Sequence, residues 1–116
     1  MATKLDFTII QSEDQELFTT QYLDSEGVTI SLADCQFKMT AKSSMFSEPF
    51  IDFDSSIDTD NMIISANSLT VKLSSADSKA IDVSGGYYDL WIIDSQNQKF
   101  KLLYGDITVD RSITDV

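Results

Sequence analysis

The chain has 116 residues and a mass of 13.0 kDa, which fits one domain over residues 1–116, since domains cluster near about 100–150 residues. Its 19 acidic and 8 basic residues give a formal net charge of −11. Nucleic acids and anionic membranes are bound by clustered Lys and Arg, so this balance disfavours both as partners.

Alternating apolar and polar residues predict strands along most of the chain. Phe37 and Met39 alternate with Lys38 and Thr40, and the run 69–73 repeats the pattern. A period of two is typical of a strand with one buried face. We predict further strands at 5–11, 17–23, 50–53, 62–66, 87–94 and 99–111, with Gly105 as a bulge or bend in the last one.

Short polar segments separate these predicted strands. Turns are expected at 12–15, 24–27 and 94–98, where Asn97 can adopt a positive φ. One short helix is predicted at 75–81, with Ser75 as its N-cap. Strands that recur every 10–13 residues without a long helical pattern predict an all-β fold, a single antiparallel sandwich of seven to nine strands.

The residue types exclude several kinds of chemistry. The chain has no histidine, which removes histidine-based triads and histidine metal sites. Its single cysteine, Cys35, has no partner for an internal disulfide, and its place on the apolar side of a predicted strand favours a buried, inert thiol. We therefore expect no enzymatic activity and no cofactor. The chain starts without an apolar signal-peptide core and has no apolar run of about 18 residues, so folding in a cytoplasm is expected.

The acidic segment 52–61 is the one candidate for metal binding. Its alternating oxygen donors resemble those that wrap calcium. Ile57, however, takes the place of the loop glycine of an EF-hand, and Ile63 takes the place of its final acid. A solvated loop between two strands is therefore favoured, and no metal site is predicted.

The segment 86–94 carries the most informative pattern. Tyr88, Leu90 and Ile92 form one row, which we predict to be core. The opposite row contains Tyr87, Trp91 and Ile93, which makes these three residues a candidate protein interface. The alternative is that another part of the chain, for example 45–50, covers this row.

Three segments together resemble a known family over nearly the whole chain. The first is 5–11. The second, 27–39, is similar to the family pattern G-x-x-x-D-L-T-G-A-x-x-x-M. The third consists of 87–92 with 102–109 and is similar to the pattern Y-x-Y-D-L-E-I … L-L-x-G-x-x-x-V. The family is the N-terminal domain of phage baseplate upper proteins and related small tailed-phage virion proteins. Trp91 stands where that family commonly has Glu.

The resemblance implies an immunoglobulin-like sandwich that serves as an assembly module of a virion. The expected partners are other virion proteins and copies of the same chain, as a homo-oligomer in the particle. The expected location is the virion, in its tail, its baseplate or its capsid exterior. The alternative function is a phage carbohydrate-binding module, in which Tyr87, Asp89 and Trp91 would form the sugar platform.

Overall fold

The computed structural model describes residues 2–23, 26–28 and 30–114, which form nine strands and one short helix. In chain order the elements are β1 (Thr3–Lys4), β2 (Phe7–Ile10), β3 (Gln15–Gln21), β4 (Gln36–Lys42), β5 (Pro49–Asp54), β6 (Met62–Ser65), β7 (Ser68–Leu73), α1 (Ser75–Lys79), β8 (Gly85–Ile93) and β9 (Lys99–Asp110).

Two sheets pack face to face, which confirms the predicted β-sandwich of the immunoglobulin-like type. The large sheet has the order β1-β9-β8-β4-β5, and β2 also pairs with β9. The small sheet has the order β3-β7-β6. Within the described residues, no helix is long and apolar enough to cross a bilayer.

The strand directions correct the expectation of a purely antiparallel fold. Strands β1 and β2 run parallel to β9, with Thr3 beside Leu103 and Phe7 beside Ile107. These segments come from opposite ends of the chain, so no tight hairpin dictates their direction. Between β1 and β2 the ladder is interrupted at Asp6, whose carboxylate accepts a 2.9 Å hydrogen bond from the backbone N–H of Asp106.

Gly105 has a different role from the predicted bulge. The register of β8 and β9 shifts opposite Leu102, because Leu90 pairs with Leu103 while Trp91 pairs with Lys101. A Cβ atom at Gly105 would overlap the carbonyl oxygen of Leu5. Gly105 therefore allows the backbone of the N-terminal segment to lie directly against β9.

The core lies between the two sheets, and a cluster of three aromatic rings packs in and against it. Phe7 and Tyr88 come from the large sheet and Phe18 from the small one, with ring centroids 4.9 to 6.0 Å apart. The hydroxyl of Tyr88 donates a 2.6 Å hydrogen bond to the carbonyl of Leu5, so this buried phenol is satisfied. The contact ties β8 to the N-terminal segment.

The helix and turns mostly follow the sequence prediction. Helix α1 is capped by Ser74 rather than Ser75, and the Ser74 hydroxyl accepts a 3.1 Å hydrogen bond from the N–H of Asp77. In the β8–β9 hairpin, Asn97 has a φ of 62°, as predicted. The predicted turn 24–27 includes Asp24 and Ser25, which lie outside the described residues.

Candidate protein interface

Strand β8 lies between β4 and β9 in the large sheet, so its residues 87–93 pair with a strand on each side. The row that faces the small sheet is buried, as predicted: Tyr88, Leu90 and Ile92. The opposite row faces outward. Tyr87 is 63% exposed, Trp91 is 36% exposed and Ile93 is half-buried. The three predicted interface residues thus share one outer surface of the large sheet.

Trp91 is partly shielded by one neighbouring lysine. The ammonium group of Lys101 lies 5.6 Å from the centroid of the Trp91 ring, within cation–π range. The same ammonium is 3.9 Å from a carboxylate oxygen of Asp89. Lys101 is the register partner of Trp91 across β9, so the sheet itself brings the cation to the ring.

The segment 45–50 does not cover Trp91. Met45 is 80% exposed and Phe46 is 98% exposed. Met45 lines a shallow cavity of about 590 Å³ beside Tyr87, at the other end of the row. The groove of about 310 Å³ at Trp91 is lined by β4, β8 and β9 residues: Lys38, Thr40, Asp89, Trp91, Ile93 and Lys99. The row is therefore open to a partner over most of its length.

Lysines surround this aromatic row, a feature that sequence reasoning missed. The strand registers place five of the eight basic residues on the outer face of the large sheet: Lys4, Lys38, Lys42, Lys99 and Lys101. Tyr104, exposed and aligned with Asp89, adds a third aromatic ring. We call these residues, together with Tyr87, Trp91 and Ile93, the lysine–aromatic face.

The face also carries acids. By register they are Asp52, Asp54, Asp89, Asp106 and Asp110. Two of them are paired, because Lys38 lies 3.9 Å from Asp54 and Lys101 lies 3.9 Å from Asp89. Lysines and carboxylates are therefore equal in number on this face, although the whole chain has a net charge of −11.

The loop after β5 uses its acids to fix its own conformation. The Asp54 carboxylate accepts hydrogen bonds of 2.7 Å from the Ser56 hydroxyl and 2.8 Å from the Gln36 amide. Partial burial acts to raise the pKa of Asp54, but these hydrogen bonds outweigh it and hold the pKa below its usual value. A carboxylate of Asp58 accepts the backbone N–H of Asp54 at 2.8 Å. Within the described residues, no group of three or more His, Cys, Asp and Glu could hold a metal ion.

Cys35 is half-buried rather than fully buried, because it precedes the first residue of β4 and packs at the margin of the core. Burial, followed by the negative charges of Asp94 and Asp34, raises the pKa of its thiol. A protonated thiol is a poor nucleophile at neutral pH.

Comparisons with known proteins add little to this geometry. No protein-family model matches the chain, and no curated protein matches it. One similar structure is that of extracellular domains 3–5 of Drosophila OTK, with a TM-score of 0.40 and 13% identity over 90% of this chain and 32% of that one. The chain thus spans about a third of that structure. At this distance the similarity carries no argument about function.

Proposed function

We propose that this chain is a non-catalytic structural module that makes protein–protein contacts in the particle of a tailed phage. The contacts are made through the lysine–aromatic face. The sequence resemblance to baseplate upper proteins supports the phage setting, and the geometry of β8 supports the interface.

The observation that carries the proposal is the outward-facing row of Tyr87, Trp91 and Ile93 on the central strand of the large sheet. Tryptophan and tyrosine are enriched among the residues that anchor protein interfaces. An exposed tryptophan leaves a large apolar area in water, and a partner that covers it gains the free energy of burying that area.

The position of Trp91 strengthens this argument. The phage proteins that the sequence resembles commonly have Glu there, which indicates a position that the sandwich can leave in water. The indole of Trp91 is then not needed for folding, and we propose that it contacts another chain.

The experiment compares wild type with Trp91→Glu in two measurements. Surface changes typically alter the unfolding free energy by less than about 1 kcal/mol, and we expect that here. Incorporation of the variant into purified particles should fall, whereas wild type should be present at constant stoichiometry. Ile57→Glu, the same apolar-to-acid change at a 76% exposed position in the loop after β5, is the matched control and should be incorporated normally.

Two results would contradict the proposal. Absence of the wild-type chain from purified particles would exclude the virion role. Unfolding of Trp91→Glu would place the indole in the core and direct the search for an interface to an edge strand, since edge strands offer unpaired backbone groups.

A phage carbohydrate-binding module is the second candidate. The cavity beside Tyr87 is lined by the polar side chains of Thr40, Lys42, Ser44 and Asp89, and aromatic rings flanked by polar groups suit sugars. Glycan-array binding by wild type, abolished in Tyr87→Ala, would favour this function over the structural one.

A further inference from the structure

Strand β3 leaves one edge of the small sheet unpaired. In the order β3-β7-β6 it has a single neighbour, because β1 and β2, which precede it in the chain, pair with β9 of the large sheet. With seven residues, β3 is the longest edge strand in the part of the chain that the structure describes. An edge strand presents backbone N–H and C=O groups that can pair with a further strand.

The hydrogen bonds of β7 determine which groups of β3 face the open edge. Lys72 of β7 donates its backbone N–H to the carbonyl of Asn61, 2.7 Å away on the β6 side. Backbone groups alternate in direction along a strand, so Val71 points the opposite way, toward its register partner Phe18 in β3. By the same alternation, both backbone groups of Thr19 point away from β7, toward the open edge.

Gln21 has the same orientation as Thr19, because one residue separates them. Within the described residues, no hydrogen bond occupies the backbone N–H or carbonyl of either one on this edge. The hydroxyl of Thr19 lies 3.0 Å from the hydroxyl of Thr70 and so is engaged on β7. The segment 17–21 contains no charged residue and no proline, which are the usual means of blocking strand addition.

The other edges of the sandwich are shorter or partly occupied. At β2, the side-chain amide of Gln15 bonds both the N–H and the carbonyl of Ile10, at 2.9 and 2.8 Å. At the end of β5, the N–H of Asp54 donates to the Asp58 carboxylate at 2.8 Å, and its carbonyl accepts the Asp58 N–H at 2.7 Å. Strand β6 has four residues, and the N–H of Met62 donates to the Asp58 carbonyl at 2.9 Å. Strand addition is therefore directed to β3.

From this open edge we infer that two copies of the chain dimerise through β3. The two β3 strands run antiparallel, with Thr19 of one copy opposite Thr19 of the other, and they join the two small sheets into one sheet of six strands. Thr19 is the centre of the uncharged segment 17–21, so this register overlaps the whole segment with itself. The affinity comes from backbone hydrogen bonds, as in other cases of strand addition.

Charge supports a second copy as the occupant of this edge. Copies with a net charge of −11 repel each other, and the cost is least where no carboxylates are opposed. Glu16 is the one charged residue of β3. In this register the two copies of Glu16 are separated by about 20 Å along the strands, well beyond the Debye length of about 8 Å at physiological salt. Two threonines directly opposite each other are a favourable cross-strand pair.

The geometry also predicts the form and strength of the assembly. The contact uses the same strand of both copies, so it closes at a dimer. The segment 17–21 is small beside the about 20–30 residues a side of a standard interface, so the dimer should be weak. Salt should strengthen it by screening the repulsion between the copies. The lysine–aromatic face is on the large sheet, and the dimer leaves it available to another partner.

The test is sedimentation equilibrium at protein concentrations up to about 1 mM, the range of weak complexes. The edge variants are Thr19→Glu and Thr19→Lys. The matched control is Thr70→Glu, which has the same charge change as Thr19→Glu and lies beside Thr19 on the same outer face, but on the middle strand of the small sheet.

We expect wild type to form a dimer and nothing larger, with a dissociation constant that falls as NaCl rises from about 0.15 to about 0.5 M. Thr19→Glu sets two carboxylates opposite each other and should weaken the dimer about fivefold at the lower salt concentration. Thr70→Glu should stay close to wild type. An equimolar mixture of Thr19→Glu and Thr19→Lys should recover the wild-type affinity, because opposite charges then face each other.

Hydrogen exchange measures the same contact at individual residues. On dimerisation, the N–H groups of Thr19 and Gln21 should become protected several-fold. Those of Phe18 and Thr20, which point toward β7, should exchange at the same rate in monomer and dimer.

Three results would overturn the inference: a wild type that stays monomeric at about 1 mM, a Thr19→Glu variant that dimerises as wild type does, or a dimer in which Thr19 and Gln21 gain no protection. A monomeric wild type whose Thr19 is protected only in purified particles would overturn it as well, and would assign the edge to a strand of a different protein. The proposed function is tested separately, since Trp91→Glu should dimerise as wild type does.

Discussion

Strand β8 carries two rows of side chains, one on each side of the large sheet. The inner row, Tyr88, Leu90 and Ile92, lies against the small sheet and is buried. The outer row includes Tyr87 and Trp91, which are as apolar or aromatic as their inner neighbours but remain accessible. Hydrophobicity alone therefore does not separate core from surface here, and what distinguishes the rows is whether the fold supplies a second sheet to cover them.

Replacement of Leu90 by Ala should produce the largest effect. Leu90 is fully buried, and removal of a buried Leu side chain costs about 2–5 kcal/mol. Chemical denaturation should show this loss in the unfolding free energy. The matched outer-row variant, Tyr87→Ala, should change it by less than about 1 kcal/mol. Equal losses of unfolding free energy in the two variants would contradict the assignment of the inner row to the core and the outer row to the surface.

Ionisation of Tyr88, in the inner row, should lower the stability of the domain at alkaline pH. Burial, followed by the negative charge of Asp6, raises the pKa of Tyr88 to about 12, against about 10 in the unfolded chain. The corresponding stability is fully present below pH 10 and is lost as the pH rises through 12. The loss amounts to about 3 kcal/mol at most.

Denaturation at pH 8 and at pH 11.5 measures this effect. Tyr88→Phe should lose about 1 kcal/mol at pH 8, because the hydrogen bond to Leu5 is gone, but should decline less with pH than wild type. Tyr87→Phe, changed on the exposed outer row, should keep the wild-type stability at pH 8. A Tyr88→Phe protein with the same alkaline decline as wild type would contradict the assignment.

Substitution at Gly105 tests how the N-terminal segment packs on β9. An added Cβ would overlap the Leu5 carbonyl, so Gly105→Ala should destabilise the domain by about 1–3 kcal/mol, as overpacked cores do. The N–H groups of Leu5 and Asp106, which bond across this contact, should then exchange faster with deuterium. An unchanged exchange rate would show that β1 is not held there.

Salt should have the smallest effect. With a net charge of −11, self-repulsion lowers stability, and raising NaCl from 0.01 to 0.1 M shortens the Debye length from about 30 to about 10 Å. The melting temperature of dilute protein should therefore rise slightly. If calcium raised it far more than magnesium at equal ionic strength, a calcium site in the loop 52–61 would have to be reconsidered.

Local patterns in the sequence predicted much of the fold. Alternation in 87–94 and 99–111 located β8 and β9 to within two residues of their observed ends, and the inner row of β8 was identified from the same alternation. The helix was found, with its cap displaced by one residue between two adjacent serines. These features depend on residues close together in the chain.

The features that were missed depend on distant residues. Parallel pairing of β1 and β2 with β9 joins opposite ends of the chain, and no local turn sequence predicts it. The lysines of the lysine–aromatic face are spread from Lys4 to Lys101, and only the strand registers bring them together. A candidate interface could thus be placed on Tyr87, Trp91 and Ile93 from the sequence, but the charged residues around it could not be predicted.

Hydroxyl-radical footprinting with mass spectrometry tests the central claim most directly. Trp91 is the single tryptophan of the chain. Mass spectrometry can therefore measure its oxidation separately from that of other residues, both in the free protein and in purified particles. The account predicts that Trp91 and Tyr87 are readily oxidised in the free protein and at least several-fold protected in the particle. Equal oxidation of both residues in the two states would contradict it.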